Sequence, residues 1–381
     1  MNILILANHF NAGGISSYVL NLARGLTLRG HKVFIGSGGG DWVGRLEEYN
    51  VSHIHVPIKT KSIISPKLFL AYFVLKKVIK KERIDIIHSQ TRVSSVLASW
   101  LSQKMSVPFV STAHGFYRRR WGRKIFPLWG RLVIAISNAV KQHLIEDFRL
   151  EEDKIRLVHN GIDINKYRAS PPKADPCPTA GRRAPLAEGI GCQDVRIKYG
   201  LGAGPVAGII ARLSEVKGHK YLIKAMKRVI EEIPDAQLLS IGDGKIKKDL
   251  EALARNLKLE ERIIFVPAVS DTSEAFSIMD VFVMPSLQEG LGLSIMEAMR
   301  AGVPVVASSV GGITSLIKDN ETGILVKPKD PDAIASAIID LLKNKERASK
   351  LSSQAQELIL KEFSLEKMAQ ETEKVYQQCL N

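Results

Sequence analysis

The sequence predicts an α/β protein of two doubly wound domains, each a parallel sheet covered by helices. Three observations carry this expectation. Apolar runs of strand length alternate with helical segments over residues 2–136, and a second alternating set covers 206–326. Between them, residues 169–188 hold Pro171, Pro172, Pro176, Pro178 and Pro185. A chain of 381 residues with 45% apolar content is long enough to bury two cores. The expected division is 1–168 for the first domain, 169–204 for a linker region and 205–364 for the second domain.

In the first set, residues 3–7, 32–36, 84–88, 109–112 and 132–136 read as strands, with helices over 16–29 and 94–101. Residues 1–7 lack the basic start and cleavage-like end of a signal peptide, so they read as the first strand. In the second set, strands are expected at 206–211, 237–241, 263–267, 281–285, 303–307 and 323–326, with helices over 221–230, 293–301 and 333–342. A further helix is expected over 365–380. No apolar run approaches the length that spans a bilayer. Cys177, Cys192 and Cys379 are neither paired in number nor spaced as metal ligands, which favours a reducing, cytoplasmic setting.

The net charge of +15 is unevenly placed: residues 1–168 hold 26 Lys+Arg against 11 Asp+Glu, while 169–381 are balanced at 28 against 28. Two clusters stand out. Within 59–81, the apolar run Leu68-Phe69-Leu70-Ala71-Tyr72-Phe73-Val74-Leu75 is bracketed by Lys59, Lys61, Lys67, Lys76, Lys77, Lys80 and Lys81. Within 116–129, aromatic residues interleave with Arg118, Arg119, Arg120, Arg123 and Lys124. Both compositions suit an anionic membrane surface, and peripheral docking on the inner face of the cell membrane is expected. An ordinary core-facing helix fits the first cluster equally well. Nothing else resembles a nucleic-acid reader, so no nucleic-acid partner is expected.

The most informative stretch is Pro285-Ser286-Leu287-Gln288-Glu289-Gly290-Leu291-Gly292-Leu293-Ser294-Ile295-Met296-Glu297. It follows a strand and opens a helix. Gly290 and Gly292 let the backbone approach a ligand, and the first-turn amides favour an anion such as phosphate. Glu289 in the loop and Glu297 along the helix would flank that anion as acceptor-only groups, which suits hydroxyl-rich neighbours such as sugars. Glu297 lies in an otherwise apolar helix and must find polar partners there. After the first strand of the second domain, Arg212 and Lys217 supply two cations where open α/β sheets bind ligands. A guanidinium fork and a compact ammonium can together neutralise a diphosphate without a metal. Asp330-Pro331-Asp332 reads as a helix cap and not as metal ligands, so neither metal nor other cofactor is expected.

The 280–312 segment resembles the glutamate-x7-glutamate signature of family 4 retaining glycosyltransferases, which have the GT-B fold. The resemblance implies two Rossmann-like domains facing a central cleft, with the 365–381 helix crossing back to the acceptor-side first domain. It also implies transfer of a sugar from a nucleotide-diphosphate donor to a hydroxyl acceptor, such as a lipid-linked or cell-surface glycan or lipopolysaccharide precursor. On this resemblance Arg212 and Lys217 match the family's cation pair, Glu289 binds the transferred sugar and Glu297 the ribose. Gly13-Gly14 matches the glycine loop that approaches the donor, and His114 matches the histidine beside the transferred sugar. Gly242, Gly290, Leu291 and Gly292 complete the donor site. Front-face substitution is the family's proposed route. One departure is Ile313-Thr314-Ser315, where the family often carries a glutamate. Same-fold rivals are a nucleotide-sugar epimerase and a longer, cofactor-dependent phosphorylase. A dinucleotide-binding dehydrogenase is disfavoured because Asn11-Ala12-Gly13-Gly14-Ile15-Ser16 lacks the Gly-x-Gly-x-x-Gly fingerprint. A non-enzymatic anionic-membrane module leaves the two glutamates unexplained.

Overall fold

A computed structural model describes residues 1–60, 62–63, 65–118, 128–167, 191–269 and 271–381. The chain divides into two units, Met1–Ile162 with Phe363–Asn381, and Asp163–Glu362. Of the expected linker region, 169–190 lies outside the described residues. Its remainder includes the helix Cys192–Lys198, which belongs to the second unit. Arg196 anchors this helix: its buried guanidinium donates to the carbonyls of Gly202 and Gly204.

The first unit is built on seven parallel strands in the order β3-β2-β1-β4-β5-β6-β7. They are β1 Asn2–Leu6, β2 Lys32–Ser37, β3 Ser52–His55, β4 Ile86–Ser89, β5 Phe109–Ala113, β6 Leu132–Ala135 and β7 Ile155–Leu157. Leu4 in β1 pairs with Phe34 on one side and Ile87 on the other. Strands β4, β5 and β6 are buried throughout, which is why they read as continuous apolar runs without alternation. The strand order reverses between β1 and β4, making their carboxyl ends the topological switch point of this sheet.

The helix Pro66–Glu82 starts with Ser65 accepting from the Lys67 amide and Pro66 in the first turn. Its continuous apolar run hides two faces. Leu68, Ala71, Leu75 and Ile79 are buried against the sheet, whereas Phe69, Leu70 and Phe73 remain 63%, 59% and 46% exposed. The Phe69 and Phe73 rings meet edge to face at 4.8 Å. Of the second basic-aromatic cluster, 119–127 lie outside the described residues. Tyr117 and Trp129, at its margins, pack with each other and with Phe148. The helix Leu365–Leu380, capped by Ser364, completes this unit's core with Met368, Ala369, Val375, Tyr376 and Cys379.

The second unit has six parallel strands in the order β10-β9-β8-β11-β12-β13. They are β8 Val206–Ile210, β9 Gln237–Ile241, β10 Ile263–Val266, β11 Val281–Met284, β12 Val305–Ser308 and β13 Ile324–Val326. Helices His219–Glu232 and Pro331–Lys343 pack over the sheet and close its core. Asp330 caps the latter by accepting from the Ala333 amide at 2.9 Å, with Pro331 in the first turn. Here the order reverses between β8 and β11. Among the described residues, no helix is long and apolar enough to cross a membrane.

Candidate active site

The loops leaving β8, β9, β11 and β12 are stitched into one surface by backbone hydrogen bonds. Leu287 donates to the Val216 carbonyl at 2.7 Å, Leu213 to Asp243 at 2.9 Å and Gly312 to Glu289 at 2.9 Å. Two glycines permit this closeness. A Cβ on Gly218, whose φ is +72°, would lie 1.9 Å from the Pro285 carbonyl oxygen; one on Gly312 would lie 1.8 Å from that of Gly290. Any side chain at either position would push the loops apart.

This stitching brings together residues that are distant in sequence. The Lys217 ammonium donates to a Glu289 carboxylate oxygen, and the side chains are only 21% and 13% exposed. Ser286 Oγ donates to the same oxygen at 3.4 Å. Arg212 stands exposed on the loop after β8. Leu291 and Gly292 are buried where that carboxylate loop enters the helix Leu293–Arg300, and Gly292 caps this helix with φ +99°. Gly242 lies on the adjoining loop, its amide held by Val266 at 2.9 Å.

Glu297 has a different setting. Its carboxylate is recessed and accepts from Thr272 Oγ1 at 3.2 Å, with the Tyr167 hydroxyl a second partner. Burial raises its pKa to about 7, opposed by the nearby Lys166 ammonium and these hydroxyls. Lys166 itself lies 3.2 Å from Asp271. The segment carrying Lys166 and Tyr167 is tied down by Arg300, which donates to the Ile164 carbonyl at 2.7 Å. One glutamate is therefore paired with a cation, and the other is held by neutral donors.

In the first unit, Gly13 and Gly14 open the helix Gly14–Leu28 after β1, and the Ser17 amide donates to the Gly13 carbonyl at 2.9 Å. His114 follows β5. Its Nε2 lies 2.8 Å from Oε1 of Gln90, the residue that follows β4, and its ring meets the edge of Tyr18 at 4.7 Å. Below it, Thr112 Oγ1 lies 2.6 Å from His88 Nε2 and 3.3 Å from the Tyr18 hydroxyl. His88 Nδ1 lies 2.7 Å from the Tyr376 hydroxyl. Burial lowers the pKa of both His88 and His114 to about 3, so both rings are neutral at physiological pH. A neutral ring with so low a pKa is a weak base; it serves better to orient a hydroxyl.

Residues 196–358 match the family description "Glycosyl transferases group 1", and residues 12–166 match "Glycosyltransferase Family 4". The chain belongs to the group 1, family 4 glycosyltransferases. An uncharacterized glycosyltransferase of Methanocaldococcus jannaschii is 29% identical, with 96% of this chain and 94% of the relative covered. The UDP-Gal:alpha-D-GlcNAc-diphosphoundecaprenol alpha-1,3-galactosyltransferase of Escherichia coli is 28% identical over 79% of this chain and 78% of its own. Anabaena HepE, solved with UDP and glucose, superimposes with a TM-score of 0.83 at 23% identity, covering 99% of each chain. The glycosyltransferase thus has the GT-B fold, belongs to a retaining family and uses a nucleotide-sugar donor.

Sequence reasoning did not single out Gln90, which faces His114, or Thr272 and Tyr167, which hold Glu297. Gln90 had a usable signal, since it directly follows β4 beside the switch point of its sheet. Thr272 and Tyr167 carried none: each gains its partner only when distant segments are packed together.

Proposed function

We propose that this glycosyltransferase moves a sugar, with retention and without a divalent metal, to a hydroxyl of a lipid-linked or cell-surface glycan precursor at the cytoplasmic membrane face. The observation that carries this reading is the meeting of Lys217 and Glu289 on stitched loops at the switch point of the second sheet. Lys217, with Arg212 on the same loop, neutralises the diphosphate, and the Leu291 and Gly292 amides add hydrogen bonds. Glu289 accepts from a hydroxyl of the transferred sugar while fixing the Lys217 ammonium. Glu297, when ionised, accepts from the ribose hydroxyls. Gly13, Gly14 and Gly242 let backbone approach the donor, and His114 orients a sugar hydroxyl.

The bond from the sugar's anomeric carbon to the diphosphate oxygen breaks as the acceptor oxygen bonds to the same face. The acceptor's proton passes to the departing phosphate, so no side chain acts as the base. Cations fixed beforehand at the leaving group stabilise its growing charge without reorganisation. The chemistry of the Escherichia coli relative, whose name specifies a diphosphoundecaprenol-linked substrate, supports a lipid-linked acceptor. So does the outer face of the helix Pro66–Glu82, where Phe69, Leu70 and Phe73 lie exposed among Lys67, Lys77, Lys80 and Lys81.

A thermal-shift panel of UDP-, GDP- and ADP-sugars tests the donor reading, because a ligand of the native state raises apparent stability. One nucleotide class is expected to raise the midpoint of the wild type and not of Lys217→Ala. Absence of any shift across the panel would remove the donor assignment.

A further inference from the structure

Gln90 occupies the switch point of the first sheet, directly after β4, and is only 2% exposed. Its backbone is held twice, by its amide donating to the Leu6 carbonyl at 3.0 Å and to Ser94 Oγ at 3.2 Å. Its side chain is asymmetric in its satisfaction. Oε1 faces His114 Nε2 at 2.8 Å, while Nε2 is buried with no hydrogen-bond partner among the described residues. A stranded amide donor is destabilising, and an apolar side chain of similar volume would avoid it. What the amide gains in exchange is its carbonyl, set against the ring.

That carbonyl has a chemical consequence. An amide oxygen only accepts, so the His114 nitrogen facing it must carry the proton, and the other ring nitrogen must hold a lone pair. A glutamate here would also accept, but would bring a charge that favours the imidazolium; the amide leaves the ring neutral. Tyr18, edge-on at 4.7 Å, restricts the ring's rotation from another side.

We propose that Gln90 is a positioning residue that locks His114 in the Nε2–H tautomer, so that Nδ1 accepts an O–H from the transferred sugar and selects sugars bearing a hydroxyl there. This rests on the reading that His114 lies beside that sugar. A site that must receive a donated hydrogen bond discriminates strongly against an analogue lacking the hydroxyl.

The first test needs no donor. In ligand-free full-length protein labelled with 15N-histidine, the His114 ring is expected to show a protonated Nε2 and an unprotonated Nδ1 between pH 6 and 8. A protonated Nδ1 overturns the proposal. The second test is Gln90→Met, which keeps the volume and removes the carbonyl. Both tautomers of His114 should then be populated. With UDP-glucose, GDP-glucose or ADP-glucose as the probe, kcat/KM for whichever is turned over should fall about tenfold to hundredfold, as misplaced binding groups do. The loss should fall mainly in kcat. Unchanged turnover in this variant also overturns the proposal. If the wild type turns over none of the three glucose donors, the tautomer measurement alone decides the role of Gln90.

Discussion

The two sheets reverse strand order at equivalent places and arm those places with opposite chemistry. At the β8/β11 reversal, an ammonium and a carboxylate meet on loops only partly shielded from water. Around the carboxyl ends of β4 and β5, two uncharged imidazoles, a threonine, a glutamine and two tyrosines from flanking helices form a largely dry polar network. The difference follows from the cost of desolvation. A charged group is costly to take fully out of water, whereas a polar group can be buried at less cost if it stays neutral and hydrogen-bonded. Shared topology supplies the position, and local burial decides which chemistry that position performs.

The largest expected effect tests the charged side of this contrast. Lys217→Ala should lower transfer by about a thousandfold, the scale of losing a fixed donor to a developing anion. Its thermal midpoint should stay within a few degrees, since partly exposed pairs contribute little to stability. Near-normal turnover would break the comparison. On the neutral side, His114→Ala should cost about a hundredfold through lost orientation. The wild-type rate should show no inflection from His114 between pH 5 and 8, because its pKa is held at about 3. An inflection there that vanishes in His114→Ala would show that the ring is not neutral.

Glu297 sharpens the contrast, because its pKa of about 7 sits between the two regimes. If ionised Glu297 receives the ribose hydroxyls, donor affinity should rise about tenfold from pH 6 to 8, and Glu297→Gln should flatten that rise. Stability runs the other way. The native carboxyl holds its proton more tightly than the unfolded chain does, so its contribution is fully present below the ordinary value near 4.5 and is lost as pH rises towards 7. Urea midpoints at pH 5 and 8 should therefore differ more in the wild type than in Glu297→Gln. The smallest expected effect concerns Lys80, exposed on the helix Pro66–Glu82. Lys80→Gln should weaken co-sedimentation with phosphatidylglycerol vesicles about fivefold at low salt. Failure of the wild type to sediment would remove the membrane reading.

The sequence revealed what depends on order along the chain. Buried strands announced themselves as apolar runs, and Arg212, Lys217 and Glu289 stood out because each lies on a loop after a strand, with Glu297 on the helix that follows the last of these loops. What it hid depends on partners. The helix Pro66–Glu82 buries one apolar face and exposes another, so no single periodicity described it. The helix Cys192–Lys198 is short, and its organising feature is a buried arginine bound to backbone carbonyls. That feature has no pattern in a list of residues. Gln90 and Thr272 look like ordinary polar residues until His114 and Glu297 are set against them.

The helix Leu365–Leu380 reaches into the first unit's core and sets the Tyr376 hydroxyl on His88, although 200 residues of the other unit, Asp163–Glu362, precede it in the chain. During synthesis, the first 162 residues therefore leave the ribosome without the piece that completes them. The second unit, being continuous, has all its parts before translation reaches that helix. The later-made half can mature first, and the earlier half must wait, with apolar surface uncovered, for its closing segment.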